Sequence, residues 1–218
     1  MNLTADASEA SPLATGKVES IPPCSHLIDR EHPRRRQVEQ FIAQRFLEVH
    51  GARISVFMPE LIALFGDDGN VLAAVGFRSA DSEVLFLEHY LDTSIDQAIA
   101  CHATRALPQR ERIVEIGNLA SIDRQASRKL FAVLAGVLAA RDFEWAVFTG
   151  CTSLHRMFNA LGVETVYLGR ALQSRLPADQ QTWGSYYEDN PRVVAGKVSR
   201  GCIAFDIETG LPFNRAAA

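Results

Sequence analysis

The sequence predicts an α/β fold, with helices packed against a β-sheet. Strand and helix patterns alternate between residues 112 and 168, which favours parallel neighbouring strands. An Asp-Gly turn at residues 67–70 separates two short apolar runs, as in a β-hairpin. The 218 residues, of which 47% are hydrophobic, suffice for one substantial core. We therefore expect one domain over residues 31–210, with a flexible tail at residues 1–30 and another tail at residues 211–218.

An amphipathic helix opens the predicted domain. Apolar side chains recur at helical spacing from Val38 to Val49, and Gly51 provides a C-terminal stop. Runs rich in Ile, Val, Leu and Phe then predict strands at residues 53–58, 61–65 and 71–78. Pro59 makes the junction between the first two runs a bend.

The rest of the domain alternates between strands and helices. A helix is predicted to begin at Ser94, and Asp123 or Ser121 can cap a second, longer helix. A third helix is predicted over residues 153–161. Strands are predicted at residues 112–122, 144–149, 163–168, 193–198 and 202–207.

The composition disfavours several classes of protein. The formal net charge is −4, so no basic field favours nucleic acid or anionic lipid. The four cysteines form no Cys-x-x-Cys pair, which fits a reducing cytosol. The start of the chain does not resemble a secretory signal, and the longest apolar run, at residues 130–140, is shorter than the roughly 18 residues that span a bilayer. We expect a cytoplasmic protein with no nucleic-acid partner and no integral membrane association.

Glu115 is the first candidate catalytic residue. A carboxylate between Val114 and Ile116 is expected to be partly desolvated, which raises its pKa and suits a general base toward an amine. Gly117 indicates a bulge or a close approach of another backbone, and the amide of Asn118 can orient a substrate carbonyl. The alternative is a glutamate on the solvent face of the sheet.

The helix after this strand begins with basic and polar side chains. Free amides at a helix N-terminus, together with Arg124, Ser127 and Arg128, are suited to a pyrophosphate. There is no Gly-rich loop of the Walker type. The alternative is that these arginines are simply exposed to solvent.

A second polar cluster is predicted on the same pocket, where an apolar run carries Glu88, His89, Tyr90 and Asp92. We expect Glu88 to assist catalysis and Tyr90 to contact substrate. A histidine beside a glutamate is more often simply a surface residue.

Trp183 and Tyr186, with Tyr187, could form the wall of an apolar acyl pocket, and Thr149, at a strand end, is a further candidate substrate contact. Aromatic clusters belong to the core more often than to a ligand site. The six histidines show no spacing typical of zinc ligands, so no metal is expected. We interpret Cys151 as a small buried residue.

The order of these elements resembles the N-acyltransferase fold shared by GNAT acetyltransferases and acyl-homoserine-lactone synthases. Within that group, the sequence resembles the thermostable hemolysin family. The motifs that carry the resemblance are LFLEHYLD at residues 85–92, IVEIGNLA at 113–120, WAVFT at 145–149 and WGSYY at 183–187.

The resemblance implies a three-layer fold whose central mixed sheet is partly splayed. The backbone around Leu119 and Ala120 would line the pantetheine of acyl-CoA or of acyl carrier protein, and residues 124–128 would face the pyrophosphate. Residues 123–128 lack the glycines of the usual GNAT loop, so both donors stay open. Asn118 stands where the lactone synthases have an arginine. An edge strand at residues 193–198 could pair across a homodimer.

The function that follows is N-acyl transfer, from a thioester to a small amine or amino acid, which would make a lipid signal or surfactant. Two alternatives stay open. One is a lytic protein that acts on membranes, although no amphipathic cationic segment supports it. The other is a non-catalytic GNAT-like domain that binds a thioester or a partner.

Overall fold

The computed structural model describes residues 24–81, 83–104, 106–177 and 182–205. Seven strands form one sheet in the order β1-β2-β3-β4-β5-β7-β6. The strands are β1 (Cys24–Ile28), β2 (Glu60–Phe65), β3 (Val71–Ser79), β4 (Ile113–Ser121), β5 (Trp145–Gly150), β6 (Thr165–Arg170) and β7 (Arg192–Lys197). Neighbouring strands are antiparallel, except for the parallel pair β4 and β5. A mixed sheet with helices confirms the predicted α/β class.

Helices cover both faces of the sheet. They are α1 (Arg35–His50), α2 (Ile95–Ile99), α3 (Arg124–Ala140), α4 (Thr152–Ala160) and α5 (Val198–Ala204). Side chains alternate between the two faces of a strand, so Val75 and Ala74 of β3 point to opposite sides. Val75 packs in the cluster that holds α3 and α4, and Ala74 packs in the cluster that holds α1. The sheet is therefore the middle of three layers.

Helix α1 and the hairpin after it were predicted correctly. Val38 and Ile42 of α1 are fully buried, and Gly51 ends the helix in the left-handed conformation, at φ 66°. Strands β2 and β3 pair in antiparallel register from Glu60↔Phe77 to Phe65↔Val71. The turn between them contains Gly69, also at positive φ.

The predicted strand at residues 53–58 is wrong, because this segment belongs to no strand. Side chains, rather than a neighbouring strand, form hydrogen bonds with its backbone near Met58. The Arg35 guanidinium donates hydrogen bonds to the carbonyl oxygens of Met58 and Pro59, at 2.6 and 3.0 Å. The position beside β2 is occupied by β1, which lies in residues predicted as tail. Residues 1–23 and 206–218 lie outside the described part of the chain.

The predicted strand at residues 202–207 is also wrong, since residues 198–204 form α5. Val198 and Cys202, four residues apart, are its buried residues, as the helical period requires. The Cys202 Sγ contacts the carbonyl oxygen of Ala135 in α3, at 3.6 Å. Packing against α3 therefore favours a helix over a strand at residues 198–204.

Strand β7 is not an edge strand, so the expected dimer pairing through it is wrong. It lies between β5 and β6 and pairs with both in antiparallel register. The parallel neighbours expected for β5 and β6 are therefore separated by the last strand of the chain. Alternation along the sequence indicates parallel strands only where no later strand inserts between them.

Candidate active site

Strands β4 and β5 pair over four residues and then separate. The ladder runs from Ile113↔Trp145 to Ile116↔Phe148, whereas β4 continues to Ser121. Beyond Ile116, the backbone groups of β4 that face β5 have no strand partner there. The sheet therefore has a V-shaped gap at its centre.

A bulge in β4 coincides with this gap. Gly76↔Gly117 and Ala74↔Ala120 are consecutive pairs in the β3–β4 register, so two residues of β4 oppose one of β3. Asn118, one of the two, has a φ of 50°. A bulge bends its strand and increases the local twist, which accounts for the separation of β4 from β5.

The gap opens into a cavity of about 1180 Å³ that is lined from both faces of the sheet. On one face the walls are apolar side chains of α3 and α4, such as Phe131, Leu134 and Phe158. On the other face they come from α1 and from residues 182–187. This volume exceeds the roughly 300–1,000 Å³ of common ligand pockets.

Residues 182–187 dock on the end of α1. The backbone N–H of Ser185 donates a hydrogen bond to the carbonyl oxygen of His50, at 2.8 Å. Gly184 has a φ of 53°, and a Cβ there would lie 1.9 Å from that same oxygen. Glycine is required at this position, and Trp183 is thereby held edge-on to Phe46, with ring centroids 6.2 Å apart.

The predicted substrate contacts Tyr90, Thr149, Trp183 and Tyr186 all line this cavity. The Tyr186 hydroxyl donates to the carbonyl oxygen of Thr149, at 3.2 Å. The Tyr90 and Tyr187 hydroxyls share a hydrogen bond. Burial raises the pKa of the Tyr90 and Tyr186 phenols, so both stay protonated at neutral pH.

Glu115 also lines the cavity, but its carboxylate is already engaged. The residue is 3% exposed, and its oxygens accept hydrogen bonds from Arg78 Nε at 2.7 Å and from the N–H groups of Phe86 and Leu87 at 3.1 and 2.9 Å. Burial raises the pKa of the Glu115 carboxyl, and the charge of Arg78 opposes this shift. The carboxylate thus fixes the turn at Phe86–Tyr90 against β4.

Asn118 lies at the gap, with its side chain turned to the segment before β2. Its Oδ1 accepts a hydrogen bond from the Met58 N–H at 2.7 Å. The Met58 side chain covers β3 and β4, where a Cβ on Gly76 or Gly117 would lie 2.6 Å from it. Of the two alternatives predicted at Gly117, the bulge is present, and the close neighbour is the Met58 side chain rather than another backbone.

Glu88 does not line this cavity, so its expected place in the same pocket is wrong. It lies in a shallow outer groove, and its carboxylate accepts hydrogen bonds from Leu85 N and Ile95 N, each at 2.7 Å, and from Arg110. Burial alone would raise the pKa of Glu88, but these donors hold it below its usual value. Ser94 is the N-cap residue of α2, as predicted, but its side chain makes no capping hydrogen bond, and the Glu88 carboxylate accepts the hydrogen bond from Ile95 N instead.

The two companions of Glu88 are also outside the cavity. Asp92 forms an exposed ion pair with Arg175, at 2.6 Å. The His89 ring contacts the carbonyl oxygen of Phe86 on the exposed side of the turn. Of the predicted second cluster, only Tyr90 reaches the central cavity.

The N-terminus of α3 borders the cavity through Arg124 and Arg128, as do Leu119 and Ala120 of β4. Neither arginine forms an ion pair with any residue that the structure describes. Asp123 caps the helix, accepting from Ala126 N at 2.7 Å, as predicted. Ser127, which was predicted to face the pyrophosphate, does not line the cavity, and its hydroxyl is hydrogen-bonded to Ser121 Oγ.

Sequence reasoning missed Phe46, His50 and Met58 as wall residues. Phe46 was assigned to the core side of α1, and His50 and Met58 carried no spacing signal. Residues 182–187 pack on the end of α1 that carries Phe46 and His50, whereas the Met58 backbone is bound by Arg35 and Asn118. No group of three or more His, Cys, Asp or Glu suited to a metal ion occurs among the residues described.

The comparisons with known proteins agree with this architecture. A family model described as thermostable hemolysin matches residues 28–202. No curated protein matches the sequence. In the described part of the chain, no helix is long and apolar enough to cross a membrane.

Solved structures with similar folds include two acyl-homoserine-lactone (AHL) synthases and an N-acyl amino acid synthase. The AHL synthase LasI is 13% identical, with a TM-score of 0.61 over 87% of this chain and 98% of its own. BjaI, a CoA-dependent AHL synthase solved with SAM and isopentyl-CoA, is 13% identical, with a TM-score of 0.58 over 88% of this chain and 91% of its own. FeeM, an N-acyl amino acid synthase from uncultured soil microbes, is 12% identical, with a TM-score of 0.57 over 84% and 94%. The GNAT-like fold is thereby confirmed.

Proposed function

This chain belongs to the thermostable hemolysin family, and we propose that it is an N-acyltransferase, which moves an acyl group from a thioester to a small amine. The observation that carries the proposal is the gap between β4 and β5. It combines unpaired strand backbone, an apolar cavity and free arginines in one place. A thioester donor with an extended pantetheine arm and an acyl chain needs these three features.

The donor carries phosphate at the α3 end of the cavity. Arg124 and Arg128 have no carboxylate partner among the described residues and lie at the positive end of a 17-residue helix. Both acyl-CoA and the phosphopantetheine of acyl carrier protein present phosphate to such a site. BjaI is CoA-dependent, so acyl-CoA is the first donor to test.

The acyl chain lies among apolar side chains, and the amine enters from the aromatic side. Phe131, Leu134 and Phe158 offer only hydrocarbon to a ligand, which suits a fatty chain. The opposite wall, with Trp183 and Tyr186, offers ring faces and hydroxyls to a small polar acceptor. An amino acid is a reasonable first acceptor, since FeeM makes N-acyl amino acids.

The reaction exchanges one bond at the carbonyl carbon. The neutral amine nitrogen attacks the thioester carbonyl, a C–N bond forms, and the C–S bond breaks. The departing sulfur takes a proton and leaves as a free thiol, and the ammonium form of the amine loses a further proton before attack. In this proposal, backbone amides of β4 beyond Ile116, where the ladder with β5 ends, stabilise the oxyanion of the intermediate.

The family description also suggests lysis of cells, and the proposed chemistry can account for it. A polar amine that carries a long N-acyl chain is a surfactant, and a small surfactant survives heating that unfolds a protein. If this is correct, a boiled, protein-free extract of expressing cells lyses erythrocytes. Lysis by the purified folded protein alone, with an inactive extract, would instead favour the membrane-lytic alternative.

Native mass spectrometry tests the donor site directly. The purified protein is incubated with a mixture of acyl-CoAs of different chain lengths, and separately with acyl carrier proteins. We expect a retained thioester with a preferred chain length. The retained donor is then mixed with the free amino acids, and released thiol and acylated product are measured.

The outcomes separate the three functions. Donor binding with thiol release supports the transferase. Donor binding without thiol release for any amine supports the non-catalytic binding domain. No donor binding by a folded protein removes the basis of the proposal.

A further inference from the structure

His50 is a titratable group on the cavity wall for which the donor chemistry above has no use. It lies in the last turn of α1, is half-buried, and is the one histidine that lines the cavity within the described part of the chain. Its backbone oxygen holds Ser185 N, but neither ring nitrogen hydrogen-bonds to any described residue. The imidazole is therefore free to exchange a proton with a ligand.

The acceptor amine needs a proton acceptor on this side, and Glu115 is poorly placed for the task. Its two carboxylate oxygens already hold Arg78 and two backbone amides. A carboxyl group that is 3% exposed and bound by three donors has a structural role and is poorly accessible to an amine. The ring of His50 has no such partners.

Tyr186 connects His50 to the gap. The two rings meet edge to face, with centroids 5.3 Å apart. The Tyr186 hydroxyl reaches the carbonyl oxygen of Thr149, one residue beyond Phe148, which ends the ladder with β4. A small amine that packs against Tyr186 can therefore lie between the imidazole and the carbonyl of a thioester in the gap.

We infer that His50 is the general base that takes a proton from the acceptor amine. The inference rests on the proposed N-acyl transfer. The ammonium form of the acceptor gives one proton to an imidazole nitrogen, and the resulting neutral amine attacks the thioester. The second amine proton leaves with the thiol sulfur, and the imidazolium returns its proton to solvent. One amide, one thiol and one free proton result.

The surroundings keep His50 ready to accept a proton at neutral pH. Burial lowers the pKa of its imidazole, and the carboxylate of Asp189, from the segment packed on α1, acts in the opposite direction. Arg45 and Glu48, one turn earlier on α1, form an ion pair with each other at 2.5 Å. The Tyr186 phenol stays protonated, so it adds no charge.

The test substitutes two histidines, His50 and His155, in the full chain. His50→Gln removes the base, and His155→Gln is the matched control, because His155 is also half-buried with a lowered pKa but lies off the cavity wall. Its ring bonds the carbonyl oxygen of Gly150, which the glutamine amide can replace. The probes are the acyl-CoA and the amino acid that give the wild type its fastest thiol release.

We expect His50→Gln to lower kcat by about 100-fold, within the range for loss of a general base, with the KM for the acyl-CoA unchanged. The acidic limb of the wild-type pH–rate profile should disappear. Added imidazole should restore part of the activity of His50→Ala and none to His155→Gln, whose kcat should match the wild type.

Two results would overturn the inference in different ways. If the wild type turns over but His50→Gln keeps its kcat within about threefold and its acidic limb, His50 is not the base, and the proposed function stands. If the wild type releases no thiol with any probe pair, the proposed function fails, and the role of His50 fails with it.

Discussion

The Oδ1 atom of Asn118 accepts a hydrogen bond from the backbone N–H of Met58, 2.7 Å away, and joins two segments that are 60 residues apart in sequence. The bond holds the segment before β2 over the bulge in β4. Asn118 was predicted to orient a substrate carbonyl, and in the structure its side chain binds the backbone of Met58 and Val56. Both the left-handed backbone of Asn118 and its side chain therefore contribute to the bulge in β4 and to the segment that covers it.

Variants of Asn118 should separate these two contributions. Asn118→Gly removes the hydrogen bond but accepts the φ of 50°, so we expect a loss of about 1 kcal/mol in the free energy of unfolding. Asn118→Ala adds the strain of a left-handed residue, about 1–2 kcal/mol more. Asn118→Asp keeps the acceptor and should be the least affected. Urea unfolding measures all three, and equal stability of Asn118→Ala and Asn118→Gly would contradict the strain argument.

Glu115→Gln should mainly reduce stability. It removes one carboxylate that pairs with Arg78, whose side chain is 15% exposed, and leaves that of Glu83 as another. We therefore expect a loss smaller than the roughly 3–5 kcal/mol that breaking a fully buried pair typically costs. The double variant Arg78→Met with Glu115→Gln should recover part of that loss. Denaturant unfolding gives both values. A Glu115→Gln protein with native stability, unchanged donor binding and no turnover would instead support the general base predicted from the sequence.

Gly184→Ala should disrupt the aromatic wall. The new Cβ would meet the carbonyl oxygen of His50, so the segment that carries Trp183 would have to leave the end of α1. Gly162→Ala is the matched control, because Gly162 has a φ of 71° and nothing within 4 Å of a Cβ. We expect a loss of about 1 kcal/mol for the control and clearly more for Gly184→Ala.

Tryptophan fluorescence provides the local readout for this pair. Trp183 and Trp145 are the two tryptophans, and Trp145 is buried on the central strand β5. A red shift in Gly184→Ala that is absent from Gly162→Ala would report exposure of Trp183. Similar spectra and similar stability for both variants would show that the segment adapts without leaving α1.

The arginines at α3 should determine donor affinity. Arg124→Gln and Arg128→Gln should each weaken binding of acyl-CoA by about 10-fold or more, as expected for one charge-assisted hydrogen bond. The exposed Arg36, which does not line the cavity, provides the control variant Arg36→Gln. Calorimetry at two salt concentrations measures this effect. Equal affinity in all variants would place the phosphate elsewhere.

Stability should fall as the pH drops below the ordinary histidine pKa. Burial lowers the pKa of His26, His50 and His155 from 6.5, so the unfolded chain binds more protons than the folded chain just below that value. The free energy of unfolding should therefore decrease as the pH falls from about 6.5 to 5.5, before most carboxylates titrate.

Urea midpoints at about pH 7.5 and 5.5 check this expectation. The combined variant His50→Gln with His155→Gln should show a smaller difference between the two midpoints than the wild type. If the difference is the same in both proteins, these two histidines do not cause the acid sensitivity.

Local patterns were reliable wherever the interaction that forms an element is itself local. Gly51 ends α1, Asp123 caps α3 and the Asp-Gly turn joins β2 to β3, each through contacts within a few residues. The motif around Glu115 and Asn118 also indicated a central strand with a bulge, because glycine and asparagine tolerate the backbone that a bulge needs.

The errors arose where distant segments compete for the same position. Residues 53–58 have strand-like composition, but β1 takes the place beside β2, and Arg35 and Asn118 bind the segment's backbone. Residues 202–207 were also predicted as a strand, but residues 198–204 form a helix that packs on α3. Glu88 was assigned to the wrong cavity because Tyr90, two residues later, lines the central cavity, whereas the Glu88 carboxylate binds the N–H of Ile95 at the start of α2.

The sequence by itself determined the α/β class, the main helices, the central strand and part of the cavity wall, including Tyr90, Trp183 and Tyr186. These follow from periodicity, caps and turns, which depend on neighbours along the chain. Only the tertiary structure decided that β7 inserts beside β5, that Glu115 is held by Arg78, and that His50 faces the cavity. Each depends on segments far apart in sequence, whose relative positions are set by burial of the whole core rather than by any local pattern.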